Sequence, residues 1–423
     1  MTRIRIRKGI AKGVVKIPSS KSYGHRALIA AALAHGQSVI SNLNYSKDIL
    51  ATIDALRVLG AQIDIEGSRA IVNGCNPFLA KCSNVLCEES GSTLRFLIPV
   101  FSLGNELHTF MGKGELLKRP QSVYQKLFNE MDAVFLHYCD RIEAAGPLVA
   151  GEYHLAGNVS SQFITGLLFA MPMLNDDSIL HIEEPFASKS YVSITIDILR
   201  RFNIKIIMDG NDIFIKGKQK YLPYDYEVEG DYSSAAFFGL LGAINNEISI
   251  KGLSPSLQGD RVVFDYLKLA GAHVDIRENE IVVGNGICNG CTFDLNDCPD
   301  LGPALMALAA ISNETFVFNN IARLKIKESD RVACMFEELA KIGAKLCSDD
   351  NKAIIEGVDV NNLKGTYEFS GHNDHRIVMA LAIISTVLPQ GAVINGAEAV
   401  AKSYPDFFED LRKLGIEVEV VDD

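Results

Sequence analysis

Hydrophobic and polar positions along the chain follow two periods. Runs such as HRALIAAALA (25–34) and ALMALAAI (304–311) are apolar almost all round a 3.6-residue turn and predict helices buried on most sides. Runs such as AQIDI (61–65) and EIVVG (280–284) alternate with period two and predict strands. The two patterns follow one another in a fixed order. LRVLGAQIDIEGSRAIVNG (56–74) reads as a helix end, a glycine, a strand, a tight turn and a second strand. The same order returns in LFNEMDAVFLHYCDRIEAAG from 127, LRRFNIKIIMDGNDIFIKG from 199, LKLAGAHVDIRENEIVVGNG from 267 and LAKIGAKLCSDDNKAIIEG from 339, with a truncated sixth, LRKLGIEVEVV, from 411. The equivalent pivots are Gly60, Asp132, Asn203, Gly271, Gly343 and Gly415, spaced by 72, 71, 68, 72 and 72 residues. Gly, Asn and Asp best tolerate the left-handed backbone needed where a helix stops and a strand begins. The period therefore predicts six helix-plus-hairpin units of ~70 residues, three in each of two domains.

The division falls near VEGDYSSAAF (228–237), where a turn precedes a new apolar helix. The sixth unit stops after its first strand, and TRIRIRK at the N-terminus has the period-two alternation to supply the missing one. This assigns residues 20–230 to one domain and 1–19 with 231–423 to the other, an α/β (α+β) chain that crosses twice between domains at a natural hinge.

Charge narrows the class. With 41 Lys+Arg against 52 Asp+Glu, a net charge of −11 and a pI near 5.4, the 423-residue chain lacks the basic surface of a nucleic-acid or anionic-membrane binder, so any anion site is local. The basic start is not followed by an apolar segment of signal-peptide type, and no stretch has the ~18 consecutive apolar residues of a membrane helix, which reads as a cytoplasmic protein. Nine scattered cysteines, with one CxxC (Cys288 and Cys291) across an Asn-Gly turn, read as reduced and mostly buried thiols. His372 and His375 with Asp374 could ligate a metal, but Arg376 alongside would repel a dication; no metal is expected.

Candidate chemistry sits in small-residue loops that carry single charges at helix entrances. PSSKSYGHR (18–26) presents Lys21, Ser22 and Arg26, and CEESGSTLRF (87–96) presents Gly91 and Arg95, where glycine permits close approach to the backbone. LLKRP carries Lys118 and Arg119, and NVSSQF carries Ser160, Ser161 and Gln162. In the second half, Asp300 precedes a Leu-Gly-Pro helix start, RLKIKESDR holds Arg323, Lys325, Lys327, Glu328, Asp330 and Arg331, GHNDHR holds His375 and Arg376, and AKSYPDF holds Lys402. Each segment alone reads equally as an ordinary helix cap with solvated charges. Together they describe a cleft with at least six cations, two acids and one imidazole, suited to small, multiply anionic ligands and to proton transfer, with no redox or electron-sink machinery.

In order, and over some 390 residues, PSSKSYGHRAL, SGSTLRF, LLKRP, NVSSQFITGLL, ASKSY, DYSSA, CPDLGPALMALA, KIKESDR, NDHRIVMAL and AKSYPDFF resemble the 3-phosphoshikimate 1-carboxyvinyltransferases, the EPSP synthase family. The resemblance implies the two-domain enolpyruvyl transferase fold, an inverse α/β prism with three βαβαββ units per domain, closing on its ligands. It also implies cofactor-free transfer of the enolpyruvyl group of phosphoenolpyruvate to the 5-hydroxyl of shikimate 3-phosphate, in aromatic amino acid biosynthesis. Carried over position by position, it implies that Lys21, Ser22, Arg26, Ser160, Ser161, Gln162, Ser188, Tyr191, Asp300, Arg323 and Lys327 hold shikimate 3-phosphate. Lys21, Gly91, Arg119, Gln162, Arg331, Arg376 and Lys402 would hold phosphoenolpyruvate. By the same resemblance Asp300 would take the position of the base, Glu328 would exchange the C3 proton, and Lys21, with His375 or Lys402, would assist proton transfer to the departing phosphate. Each substrate brings about three negative charges, and each charge-assisted bond contributes ~1.5–3 kcal/mol.

Some positions depart from the family pattern. Glu89 stands where many relatives have an amide, Ser92 where threonine is common, Ser190 where proline is, and Arg323 where asparagine is frequent. Gly91 implies an open pocket sensitive to the inhibitor glyphosate. The enolpyruvyl transferases that act on a nucleotide sugar share the architecture, but use a loop cysteine that LLKRP lacks; a non-catalytic anion-binding scaffold would not need Asp300 and Glu328 among so many cations. No unusual apolar stripe suggests more than a monomer, and the expected partners are the two substrates, without nucleic acid or membrane.

Overall fold

All six pivots have positive φ: Gly60 119°, Asp132 55°, Asn203 67°, Gly271 104°, Gly343 91° and Gly415 90°. Each closes an amphipathic helix, Lys47–Leu59, Ser122–Glu130, Lys189–Arg201, Val263–Leu269, Arg331–Ala340 or Phe407–Lys413, and turns the chain into a hairpin. The computed structural model describes residues 2–421. Six four-stranded sheets result, and every one has the same pairing: a parallel pair, then two antiparallel steps.

The chain divides into two units, Ser19–Glu229 and Met1–Pro18 with Gly230–Asp423. Arg3–Ile6 pairs antiparallel with both Ala392–Asn395 and Val418–Val421, so it supplies the strand that the sixth repeat lacks. Gly13–Lys16 adds in parallel to Ile248–Lys251, and Tyr226–Glu227 in parallel to Gln37–Ser41, so the first strand of each unit's first repeat comes from a distant part of the chain.

Each unit has its own apolar core. In the first these are built around α1 (Lys21–Leu33), α2 (Gly91–Phe101) and α3 (Ser161–Ala170), and in the second around α4 (Tyr232–Ile244), α5 (Gly302–Ala310) and α6 (His375–Ser385). These helices are buried along nearly their entire length, as their unbroken apolar runs require, and each buried large aliphatic side chain contributes roughly 1.5–3 kcal/mol. Their N-termini carry the loops with chemistry: Ser20, Ser90 and Ser160 cap α1, α2 and α3, Asp231 and Asp374 cap α4 and α6, and the Pro299–Leu301 turn leads into α5.

Among the described residues no helix is long and apolar enough to cross a membrane. The nine cysteines are free, but they are not mostly buried, contrary to the sequence expectation: only Cys87 and Cys298 are, while Cys82, Cys139, Cys288 and Cys347 are exposed. The exposed four lie in turns, at loop ends or on an outer strand, which the surrounding apolar residues do not reveal.

Candidate active site

In the unit of residues 19–229, capping by Ser20, Ser90 and Ser160 leaves the first turns of three helices presenting backbone N–H groups. Gly91 opens α2, and a Cβ there would lie 3.0 Å from Arg119 Nη1 and 3.3 Å from Gln162 Oε1, so Gly91, Arg119 and Gln162 converge. Gln162 is held at both ends: its Oε1 accepts from Arg95 Nη1 at 3.0 Å and its Nε2 donates to Ser92 Oγ at 3.2 Å. Arg95 also donates to Pro120 O at 2.9 Å, which ties this arrangement to the loop that carries Arg119. Arg95, which the sequence marks by its place inside an apolar helix but which the family resemblance does not assign to either substrate, thus belongs to the cluster.

Arg26 lies behind the first loop. It donates to Thr195 Oγ1 (2.8 Å), Ser22 O (2.8 Å), Thr165 Oγ1 (3.4 Å) and Tyr191 O (3.2 Å), and its guanidinium lies over Phe96. Four of its five N–H groups are therefore spent on the fold, where they fix Ser22 and Tyr191, and one Nη1 hydrogen remains. Burial lowers its pKa to about 10, with Tyr191 and Tyr23 acting in the other direction. Lys21 reaches Asp48 Oδ2 at 2.8 Å, a partner that sequence reasoning did not identify. Ser188 is buried in a left-handed conformation (φ 54°) before the helix that bears Tyr191. Glu89 turns toward the neighbouring loop: a Cβ on Gly114 would come within 2.7 Å of its Oε2.

The second unit concentrates charge around Arg331, whose side chain is 1% exposed. Its Nη1 donates to Asp300 at 2.9 Å, Nη2 to Glu328 at 2.6 Å, and Nε to Asp374 at 2.8 Å. Asp300 also accepts from Arg376 Nη2 at 2.8 Å and lies 3.3 Å from Lys327 Nζ, so three cations hold one carboxylate. Asp374, fully buried, accepts further from Ser329 Oγ and from the Arg376 backbone N–H. Burial opposes the charge on Arg331, but Asp374, Glu328 and Asp300 outweigh it and hold the guanidinium above its ordinary range; Arg331 in turn overcomes burial and holds Asp374 low. Lys327 is pushed down to about 8 by burial, against the pull of Asp300, with Arg323 and Arg331 adding to the shift.

His375 is buried, with Nδ1 3.8 Å from Asp374 Oδ1, and Lys402 Nζ donates to Asn373 O at 2.5 Å. His372 turns instead to Glu338, so the two histidines of GHNDHR face different partners.

Asp260 is a further acid that sequence reasoning missed. It is buried, receives the Ser233 hydroxyl on Oδ2, and has its pKa raised to about 7, first by burial and then by Asp300. Its only sequence signal is a Gln-Gly-Asp turn at 258–260, ahead of another helix.

The chemistry available here is anion binding by arginine and lysine at helix entrances, with two carboxylates bracketed by one guanidinium. A family model described as EPSP synthase (3-phosphoshikimate 1-carboxyvinyltransferase) matches residues 7–411. The 3-phosphoshikimate 1-carboxyvinyltransferase of Clostridium kluyveri is 44% identical over 414 residues, covering 96% of each chain, and that of Clostridium beijerinckii is 42% identical over 428 residues, covering 98% of each. Among solved structures, an EPSP synthase from Acinetobacter baumannii superposes with a TM-score of 0.82 at 25% identity over all of both chains. The enolpyruvyl transferase NikO from Streptomyces tendae, at 16% identity and a TM-score of 0.79 over 99% of each chain, shares the fold.

Proposed function

The chain belongs to the EPSP synthase (3-phosphoshikimate 1-carboxyvinyltransferase) family, and from that premise we propose how its residues divide the reaction. The reaction transfers the enolpyruvyl group of phosphoenolpyruvate to the 5-hydroxyl of shikimate 3-phosphate and releases phosphate through a tetrahedral adduct.

Shikimate 3-phosphate is held by Lys21, Ser22, the remaining Nη1 hydrogen of Arg26, Ser160, Ser161, Gln162, Ser188 and Tyr191, with Asp300, Arg323 and Lys327 completing the set. Phosphoenolpyruvate is held by Lys21, Gly91, Arg119, Gln162, Arg331, Arg376 and Lys402. Arg331 makes four hydrogen bonds to three carboxylates of its own chain, so its part in binding rests on one remaining Nη1 hydrogen and on holding the acids in place.

Asp300 accepts the proton of the 5-hydroxyl as its oxygen attacks C2 of phosphoenolpyruvate. Glu328 gives a proton to C3 and later takes one back as phosphate leaves, with Lys21, His375 and Lys402 supplying protons or charge to the leaving group. Fixed arginines stabilise the charge that develops and orient the reactants. The observation that carries this reading is the Arg331 bracket: one guanidinium holds Asp300 on Nη1 and Glu328 on Nη2, so two acids stand side by side with separate tasks.

Glu328→Gln tests it. Exchange of the C3 hydrogens of phosphoenolpyruvate with deuterated solvent, followed by NMR in the presence of shikimate 3-phosphate, should slow by about 10²–10⁴-fold. Exchange at the wild-type rate would remove Glu328 from the mechanism.

Gly91→Ala should raise the KM for phosphoenolpyruvate and weaken inhibition by glyphosate, because its methyl group would press on Arg119 Nη1 at 3.0 Å and Gln162 Oε1 at 3.3 Å. Equal inhibition constants for the two proteins would contradict this. We read the chain as a cytoplasmic protein, since nine free thiols suit a reducing compartment, and as a monomer, since no unusual apolar stripe in the sequence calls for a second copy.

A further inference from the structure

The Arg331–Ala340 helix meets one short loop at two points. Arg331 is its first residue, and Glu338 follows seven residues later on the same face. Arg331 grips Asp374 at the end of loop 370–374. Glu338, with its side chain fully buried, grips the beginning: Oε2 accepts the Ser370 backbone N–H at 2.9 Å, and Oε1 lies 2.9 Å from His372 Nε2. Between these two anchors His372 and Asn373 have φ of 47° and 52°, two successive left-handed residues that turn the loop sharply and that histidine and asparagine adopt more readily than most.

What this loop presents bears on the reaction. Asn373 O accepts from Lys402 Nζ, and Asp374 holds Arg331, so the backbone at 372–373 sets the position of two cations. Neither Glu338 nor His372 is among the residues assigned to the substrates. We infer that Glu338 and His372 are positioning residues for phosphoenolpyruvate, acting through loop 370–374 on Lys402 and on the Asp374–Arg331 pair. The inference rests on the assignment of Arg331 and Lys402 to that substrate.

Glu337, Glu338 and His372 could together be taken for a metal site. The Lys341 ammonium, however, lies 2.6 Å from Glu338 Oε2 and already supplies the positive charge that a dication would bring. Around His372 stand Cys334, Glu337 and Glu338 on the helix, with Lys341 beyond Glu338. Hydrogen bonding to Cys334 and to the Glu338 carboxylate pushes the imidazole up to about 10 against burial, which favours a charge-assisted pair with Glu338.

Steady-state kinetics with each substrate varied in turn tests the inference on Glu338→Gln, His372→Gln and their double variant. The KM for phosphoenolpyruvate should rise about tenfold in each single variant, and the KM for shikimate 3-phosphate should stay within about twofold. The double variant should be no worse than the more affected single one, as expected for two parts of one brace. A merely structural role would lower the amount of active enzyme and leave both KM values alone, and that result would overturn the inference. Should Glu338→Gln fail to fold, His372→Gln, at a side chain 19% exposed, decides by itself. Arg331→Lys in the same assay separates the two levels. A raised phosphoenolpyruvate KM there, with none in the brace variants, overturns the inference alone, whereas an unchanged KM there overturns the assignment of Arg331 and the inference with it.

Discussion

Asp300→Asn should slow phosphate release at saturating substrates by about 10²–10⁴-fold, the range expected on losing a general base. The substitution keeps the shape of the side chain and removes its charge. Oδ1 of Asp300 now faces Arg331 and Lys327, and Oδ2 faces Arg376. An asparagine can accept on one side only, so its NH₂ group must turn toward a cation on the other. The site as a whole becomes more positive, which favours anionic ligands, so affinity for shikimate 3-phosphate should stay within a few-fold while the rate collapses. Calorimetry for binding and a phosphate assay for rate separate the two. A rate within about threefold of wild type would remove Asp300 from the chemistry, and a loss of binding equal to the loss of rate would make it a ligand only.

Asp374→Ala should destabilise the unit that contains it by about 3–5 kcal/mol, the effect of stranding one partner of a buried ion pair. The side chains of Asp374 and Arg331 are 0% and 1% exposed, so water cannot replace the lost carboxylate. The same change removes the α6 cap bond to the Arg376 N–H and the acceptor for Ser329 Oγ. Asp374→Asn keeps an oxygen for the cap and should be the milder variant, since a lost cap alone costs about 1 kcal/mol. With two separate cores the chain need not unfold in one step, so the shift is read on the transition that the substitution moves. A shift under about 1 kcal/mol would show that Asp300 and Glu328 suffice to neutralise Arg331.

The repeats were legible because local rules write them. Six Gly, Asn or Asp pivots at nearly constant spacing carry the helix-to-hairpin turns, and period-two runs mark the strands that follow. Even the pairing of Arg3–Ile6 with the last repeat follows from a missing strand and an alternating segment with no partner of its own. Helix entrances with small residues and single charges likewise marked Asp300, Lys327, Glu328, Arg331 and Arg376, which the fold connects into one network.

What sequence could not show was which charges pair. Asp374 looked like a candidate ligand between two histidines, yet the fold buries it against Arg331. Asp260 and Asp48 carried no pattern that separates them from ordinary surface acids, since their environment is made by segments distant in the chain. Glu338 drew no reading from the sequence, since a carboxylate is ordinary on an amphipathic helix, and only the path of loop 370–374 makes it a buried acceptor. The cysteines failed for the same reason: thiol burial depends on which face of a strand or turn is covered.

The central claim, that this chain joins phosphoenolpyruvate to shikimate 3-phosphate through the residues assigned above, is tested most directly by phosphate release from purified protein with each substrate omitted in turn, and with the carboxyvinyl product followed by mass spectrometry. The account predicts release and product only when both substrates are present, in equal amounts. Release from phosphoenolpyruvate alone, or tight binding of shikimate 3-phosphate with neither release nor product, would contradict it.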